Sequence, residues 1–337
     1  MNIYNFIYRF KNYVSLSLAY TKSLFYYIGS FSWFKEIELT NVTKILILKQ
    51  GGLGDTIICY DFLKSIKTKF KDANINLYCN PEFFKYFKDL DINLVSDLNK
   101  IKETDIIFDL SPKKENKEIY SSIKHRCLFL RNPIISSDYF TNKVSKVFLP
   151  LFNKHITDYY SQILKELKIK EIKSYRKTNI EKYIILNIVA AKKIRYVPES
   201  LAINLINYLD NQHIDTYLIY YGPEEKQFVQ NLLKKTNTKH TKLVDLKTKD
   251  VSELIKNAKC IITTDTGIAH VSGHYNKQNI VIFGPGSKTI WKPLGKETYV
   301  VNSTGCQGCQ RHSDTWKCNH ECLENIKLKD IISKINV

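Results

Sequence analysis

Short apolar runs alternate along this chain with segments of helical spacing. Residues 44–49 (KILILK) form a continuous buried-type strand, followed by a glycine turn at 51–55 (GGLGD). Residues 56–70 carry Ile57, Ile58, Phe62, Leu63 and Ile66 at helical spacing. Further strands are predicted at 75–79 and 105–110. Residues 111–180 are richer in Lys and polar groups, and the domain junction is expected near their end. The alternation then restarts. Strands are predicted at 183–189, 216–221, 260–264 and 279–283, with helices at 198–209, 223–233, 251–258 and 266–274. Strand, helix, strand in alternation argues for parallel sheets with crossover helices, here two α/β units in tandem.

Ligands of such sheets bind beyond the carboxyl ends of the strands, so the strand ends are the places to look for chemistry. At the first, Gly51, Gly52 and Gly54 let a ligand approach the backbone, and the helix that follows offers unpaired N–H groups. Asp55 there is a catalytic candidate or a plain helix cap. At the second, an apolar strand runs into Thr264, Asp265, Thr266 and Gly267, and His270 lies one turn into the next helix. Backbone N–H groups, a hydroxyl and a positive dipole end at one point suit a diphosphate, and a capped helix with a surface His is the alternative. Gly284 and Gly286, in the strand end 283–287 after the next strand, suit close backbone approach or a simple turn. Glu224 and Glu225 follow a strand and can accept ribose hydroxyls, or simply sit in a first helical turn.

Composition adds three points. The formal charge of +18 suits an anionic partner, or reflects a generically basic surface. The basic residues are dispersed, without a basic arm or a zinc-finger pattern, so nucleic acid is not the expected partner. Residues 1–34 are crowded with Tyr and Phe among Arg9, Lys11 and Lys22; they suit a membrane interface or a helix packed on the body of the protein. No uncharged apolar run reaches transmembrane length and no secretory signal is expected, which points to the cytoplasm. Cys59, Cys79, Cys127 and Cys260 lie in or beside apolar runs and read as buried thiols. Cys306, Cys309, Cys318 and Cys322 cluster instead: they can hold a structural zinc, remain thiols or pair as disulfides.

The motifs together resemble glycosyltransferase family 9, the ADP-heptose:lipopolysaccharide heptosyltransferases. Residues 45–55 look like the family's opening strand and Gly-Asp turn, and residues 220–225 like its Gly-Pro-Glu-Glu strand end. Residues 264–270 look like its Asp-Ser/Thr-Gly-x-x-His signature, and Ile282–Pro285 with Trp291–Pro293 like its closing motif. The cysteine cluster is similar to one seen in many members. The resemblance implies a GT-B fold: two Rossmann-like domains facing a central cleft, an acceptor domain over 44–180 and a nucleotide-sugar domain over 181–337, after the N-terminal segment 1–43. It implies an inverting, metal-independent transfer of heptose from ADP-heptose to an anionic lipopolysaccharide core at the inner face of the cytoplasmic membrane.

In that reading Asp55 is the general base, and the N–H groups of Thr266 and Gly267 hold the departing diphosphate. Asp265 belongs to the same donor site, Glu225 or Glu224 holds the ribose, and His270 orients the donor. The family's Lys near a Trp-Pro pair is altered here to residues 192–198 (KKIRYVP). Arg195 best fits the spacing before Pro198, and Lys193 is the other candidate.

Overall fold

The computed structural model describes residues 39–111, 116–131, 146–148, 154–174, 182–304 and 321–335. The aromatic N-terminal segment, Cys306, Cys309 and Cys318 lie outside the described residues.

The strands form two six-stranded sheets, parallel throughout. The first contains β1 (Lys44–Leu48), β2 (Asn74–Tyr78), β3 (Asn93–Val95), β4 (Ile106–Asp109), β5 (Cys127–Arg131) and β6 (Lys146–Phe148), in the order β3-β2-β1-β4-β5-β6. The second contains β7 (Tyr183–Asn187), β8 (Thr216–Tyr220), β9 (Thr241–Asp245), β10 (Ala258–Thr264), β11 (Gln278–Phe283) and β12 (Thr298–Asn302), in the order β12-β11-β10-β7-β8-β9. Each sheet repeats the doubly wound order, in which the chain starts at the centre, builds one edge and returns to build the other. The switch points therefore fall between β1 and β4 and between β7 and β10.

Central strands covered on both faces must be apolar throughout. Ile45, Leu46, Ile47 and Leu48 on β1 are fully buried, as are Ile261 and Ile262 on β10. Full burial of such a side chain contributes about 1.5–3 kcal/mol. These runs are the strands that the sequence shows most plainly.

The helices are α1 (Leu53–Ile57), α2 (Tyr60–Lys69), α3 (Asn116–Ser122), α4 (Ile156–Glu166), α5 (Glu199–Asn211), α6 (Pro223–Lys234), α7 (Val251–Asn257), α8 (Gly267–His274), α9 (Lys288–Trp291), α10 (Glu321–Glu324) and α11 (Leu328–Ile332). The single helix expected over 56–70 is two, and the first begins early enough to hold Asp55 in its first turn. The polar stretch 111–180 contains β5, β6 and α4, which its composition hides.

The chain divides into two compact units. One holds the first sheet; the other takes Gly52–Asp61, a short run ending at Thr157, and the chain from Ile172 onward. Helix α1 thus belongs with the second sheet, although in sequence it follows β1. Gly51, the last residue before this transfer, has a φ of 147°, a backbone region open to glycine and costly for other residues.

The first unit buries a polar cluster at its own switch point. The Asp109 carboxylate accepts from Asn116 Nδ2 (2.7 Å), from the Ser111 N–H (2.9 Å) and from the Tyr120 hydroxyl. Lys49, 2% exposed, donates to Ser111 Oγ at 3.2 Å. Burial pushes the Asp109 pKa up, against these hydrogen bonds and the nearby Lys49 charge.

Candidate functional site

The site is built where α1 meets α8, both in the second unit. Two glycines permit the approach. A Cβ on Gly54 would lie 2.7 Å from His270 Cδ2 and 3.3 Å from Gly267 Cα. A Cβ on Gly267 would lie 3.1 Å from Leu53 Cβ and 3.2 Å from the Gly54 nitrogen. Two helix starts are thereby packed backbone to backbone, each with a reactive side chain beside its glycine: Asp55 after Gly54, Thr266 before Gly267. Gly52 meets Asp55 Oδ2 only at ordinary contact distance.

Thr266 is the N-cap of α8 in extended conformation, and its side chain does not cap the helix. Its hydroxyl is held elsewhere: Asn187 Nδ2 donates to Thr266 Oγ1 (3.1 Å) and to Thr263 Oγ1 (3.0 Å), and the two hydroxyls lie 3.2 Å apart. Thr264 Oγ1 donates to the Val189 carbonyl at 3.2 Å, which ties the end of β10 to the loop after β7. Asn187 is a site residue that the sequence reading missed. It ends an apolar strand at the switch point, and a lone Asn at the close of a buried run is the signal that could have found it.

Asp265 is buried and paired with Arg195, whose guanidinium donates to the Asp265 carbonyl at 3.1 Å and stands 3.7 Å from its carboxylate. Burial pushes the Asp265 pKa up; Arg195 pulls it down, and the negative charge of Asp55 pushes it up further. Gly286, the second glycine of the strand end after β11, leaves room for the Asp265 carboxylate: a Cβ there would lie 2.1 Å from Oδ2.

The remaining expected residues separate into other roles. Lys193 stands 3.6 Å from Glu224, both exposed, an ion pair of small energetic weight. They line a hollow of about 560 Å³ with Tyr196, Gln227, Phe228 and Asn231. Glu225 accepts from the Tyr221 N–H at 2.7 Å, reaching back over the start of α6 as a capping side chain does. Gly284 faces Leu323, so its missing side chain serves packing against α10. His270 is buried behind Gly54, and its Nδ1 has no hydrogen-bond partner among the described residues. Burial, with His155 nearby, pushes its pKa down to about 3, so the ring is neutral. Cys322 is buried in α10, and among the described residues no three metal-ligating side chains gather to hold an ion.

Two doubly wound parallel sheets define an α/β fold of the GT-B type, here with a helix start, a buried acid and an arginine at one switch point. The chain belongs to glycosyltransferase family 9 (heptosyltransferase), whose model matches residues 113–320. It is 26% identical over 329 residues to lipooligosaccharide heptosyltransferase 2 of Campylobacter jejuni subsp. jejuni serotype O:2, covering 86% of this chain and 97% of that protein. Its fold is similar to that of a glycosyl transferase family 9 structure from Veillonella parvula, with a TM-score of 0.73 at 17% identity, covering 89% of this chain and 98% of that one. It is also similar to E. coli heptosyltransferase WaaC with ADP, with a TM-score of 0.66 at 14% identity, covering 79% and 95% of the two chains.

Proposed function

We propose that this protein transfers heptose from ADP-heptose to the inner core of a lipopolysaccharide or lipooligosaccharide with inversion at the anomeric carbon, and that Asp55 is the general base. The observation that carries the reading is the Gly54–Gly267 packing, which sets Asp55 beside the start of α8. The Asp55 carboxylate takes the proton of an acceptor hydroxyl as that oxygen attacks the anomeric carbon. The bond from that carbon to the diphosphate breaks, and ADP leaves with the electron pair. The open N–H groups at Thr266 and Gly267 receive the developing negative charge.

Arg195 is the cation for this step, because it is already anchored on Asp265, whereas Lys193 is turned to Glu224. Glu224, on the wall of the neighbouring hollow, is the better candidate for the ribose, since the Glu225 carboxylate is engaged by the Tyr221 N–H. His270 acts through α1: its neutral ring is the surface on which Gly54 rests. No metal has a part in the transfer. The cysteine cluster stays a candidate structural zinc site.

The test is turnover of ADP-heptose with a core acceptor by wild type and Asp55→Ala. A positioned base contributes roughly 100- to 10,000-fold, so the variant should lose activity on that scale while still binding ADP. Equal turnover removes Asp55 from the mechanism. Stabilisation of the protein by a UDP- or GDP-sugar and not by an ADP-sugar would point to another donor.

A further inference from the structure

Among the described residues Tyr221 is the one large hydrophobic side chain left exposed, at 55%. It follows directly on β8, at the carboxyl end where ligands of such sheets bind. A lone exposed ring is ordinary on a protein surface. What sets this one apart is how it is held and what stands beside it.

The Tyr221 N–H donates to the Glu225 carboxylate at 2.7 Å, so the first turn of α6 fixes the backbone that carries the ring. On the neighbouring strand the Asp245 carboxylate accepts from the Lys247 N–H at 2.9 Å, and Thr248 Oγ1 donates to the Asp245 carbonyl at 3.0 Å. The Leu246 N–H donates to the Tyr220 carbonyl at 2.9 Å, which ties this turn to the end of β8. Lys247 is thereby set with its ammonium 5.6 Å from the centre of the Tyr221 ring, a cation–π contact. The ammonium covers one face of the ring and leaves the other to solvent.

The strand order puts this pair in line with the donor groups. From β10 outward the carboxyl ends run β10, β7, β8, β9. They carry in turn Thr266 and Gly267, Arg195, Glu224 with Tyr221, and Lys247. A nucleoside diphosphate has its groups in a matching order: diphosphate, ribose, base. With the diphosphate at the start of α8 and the ribose at Glu224, the base falls toward β9, against Tyr221. Tyr196 and Phe228, which line the hollow with Glu224, are packed on each other at 5.0 Å between ring centres and against the core, so their rings are already engaged.

We propose that Tyr221 is the platform on which the nucleobase of the donor stacks, with Lys247 closing the opposite face of the ring. The inference rests on the donor reading given above. A purine covers more of the ring than a pyrimidine does, so the same contact favours an adenine nucleotide over a uracil one.

The experiment measures binding of ADP, UDP and inorganic pyrophosphate to the full chain by calorimetry, in wild type, Tyr221→Ala and Tyr221→Trp. Removing an aromatic ring from under a stacked base costs about 5- to 150-fold in affinity. Tyr221→Ala should lose ADP affinity on that scale and bind pyrophosphate, which has no base, as wild type does. Tyr221→Trp should keep its ADP affinity. An ADP analogue with 2-aminopurine as its base should be quenched when bound to wild type and bright when bound to Tyr221→Ala. Equal ADP affinity in wild type and Tyr221→Ala overturns the stacking and leaves the donor reading standing. An equal loss of pyrophosphate affinity overturns it too, because a disturbed phosphate site would then explain the variant. Wild type that binds none of these nucleotides overturns both the stacking and the donor reading.

Discussion

At His270, burial decides the charge state, and the consequence can be read in stability. The folded ring has a pKa of about 3 against an ordinary value of 6.5, so between those values only the unfolded chain takes up the proton. The contribution of this residue is therefore fully present above pH 6.5 and is lost as the pH falls toward 3, at no more than about 1.4 kcal/mol per pH unit for one proton. Asp265 has the opposite sign. Its raised pKa means that the folded state holds its proton longer, so its contribution is lost as pH rises through the carboxylate range. Urea unfolding midpoints of wild type and His270→Gln between pH 4 and 7 separate the two. The variant should lose the acid-side slope assigned to His270 and keep the rest; parallel curves would contradict the assignment. The sequence showed that a His stands one turn into a helix. It could not show that a glycine from a distant segment closes over the ring.

At the scale of the element, the weight falls on two short helices. Helix α1 has five residues, too few to be stable alone, so its position depends on packing. Gly54 is the contact. In Gly54→Ala the added methyl meets a buried ring and the Gly267 backbone, neither of which can move freely. The expected cost is about 1–3 kcal/mol of stability. Transfer activity should fall further than stability alone explains, because Asp55 moves with the helix. Equilibrium unfolding alongside a kcat measurement checks both parts. Gly52→Ala is the control, since its Cβ would find only ordinary contact with Asp55. The strands β1, β7, β8, β10 and β11 were legible because each holds at least three consecutive apolar residues at its centre. β5, β6 and α4 were not, because they lie among Lys and polar residues.

For the whole molecule the strongest global quantity is charge. With +18 formal charges, the protein should be retained on vesicles containing anionic lipid and released as salt rises, since charges farther apart than about 8 Å are screened at physiological ionic strength. Deleting residues 1–34 separates the two contributions. If the aromatic segment anchors the protein, deletion lowers binding at high salt as well as low. If the basic body alone is responsible, only the salt-sensitive part exists in both proteins. No helix among the described residues is long and apolar enough to cross a membrane.

What the sequence determined by itself was the class: parallel α/β units, the strand ends where chemistry sits, and the four motifs that mark the family. Apolar runs of strand length and glycines after strands are local signals, and local signals survive in one dimension. Tertiary structure decided the rest. It moved α1 from the first unit to the second and chose Arg195 over Lys193 as the partner of Asp265. It also brought Asn187 to the switch point, laid Gly286 against the Asp265 carboxylate, and set His213 against His240. Each of these is a contact between residues tens or hundreds of positions apart. Such contacts are fixed by strand order and close packing, which no window along the chain contains.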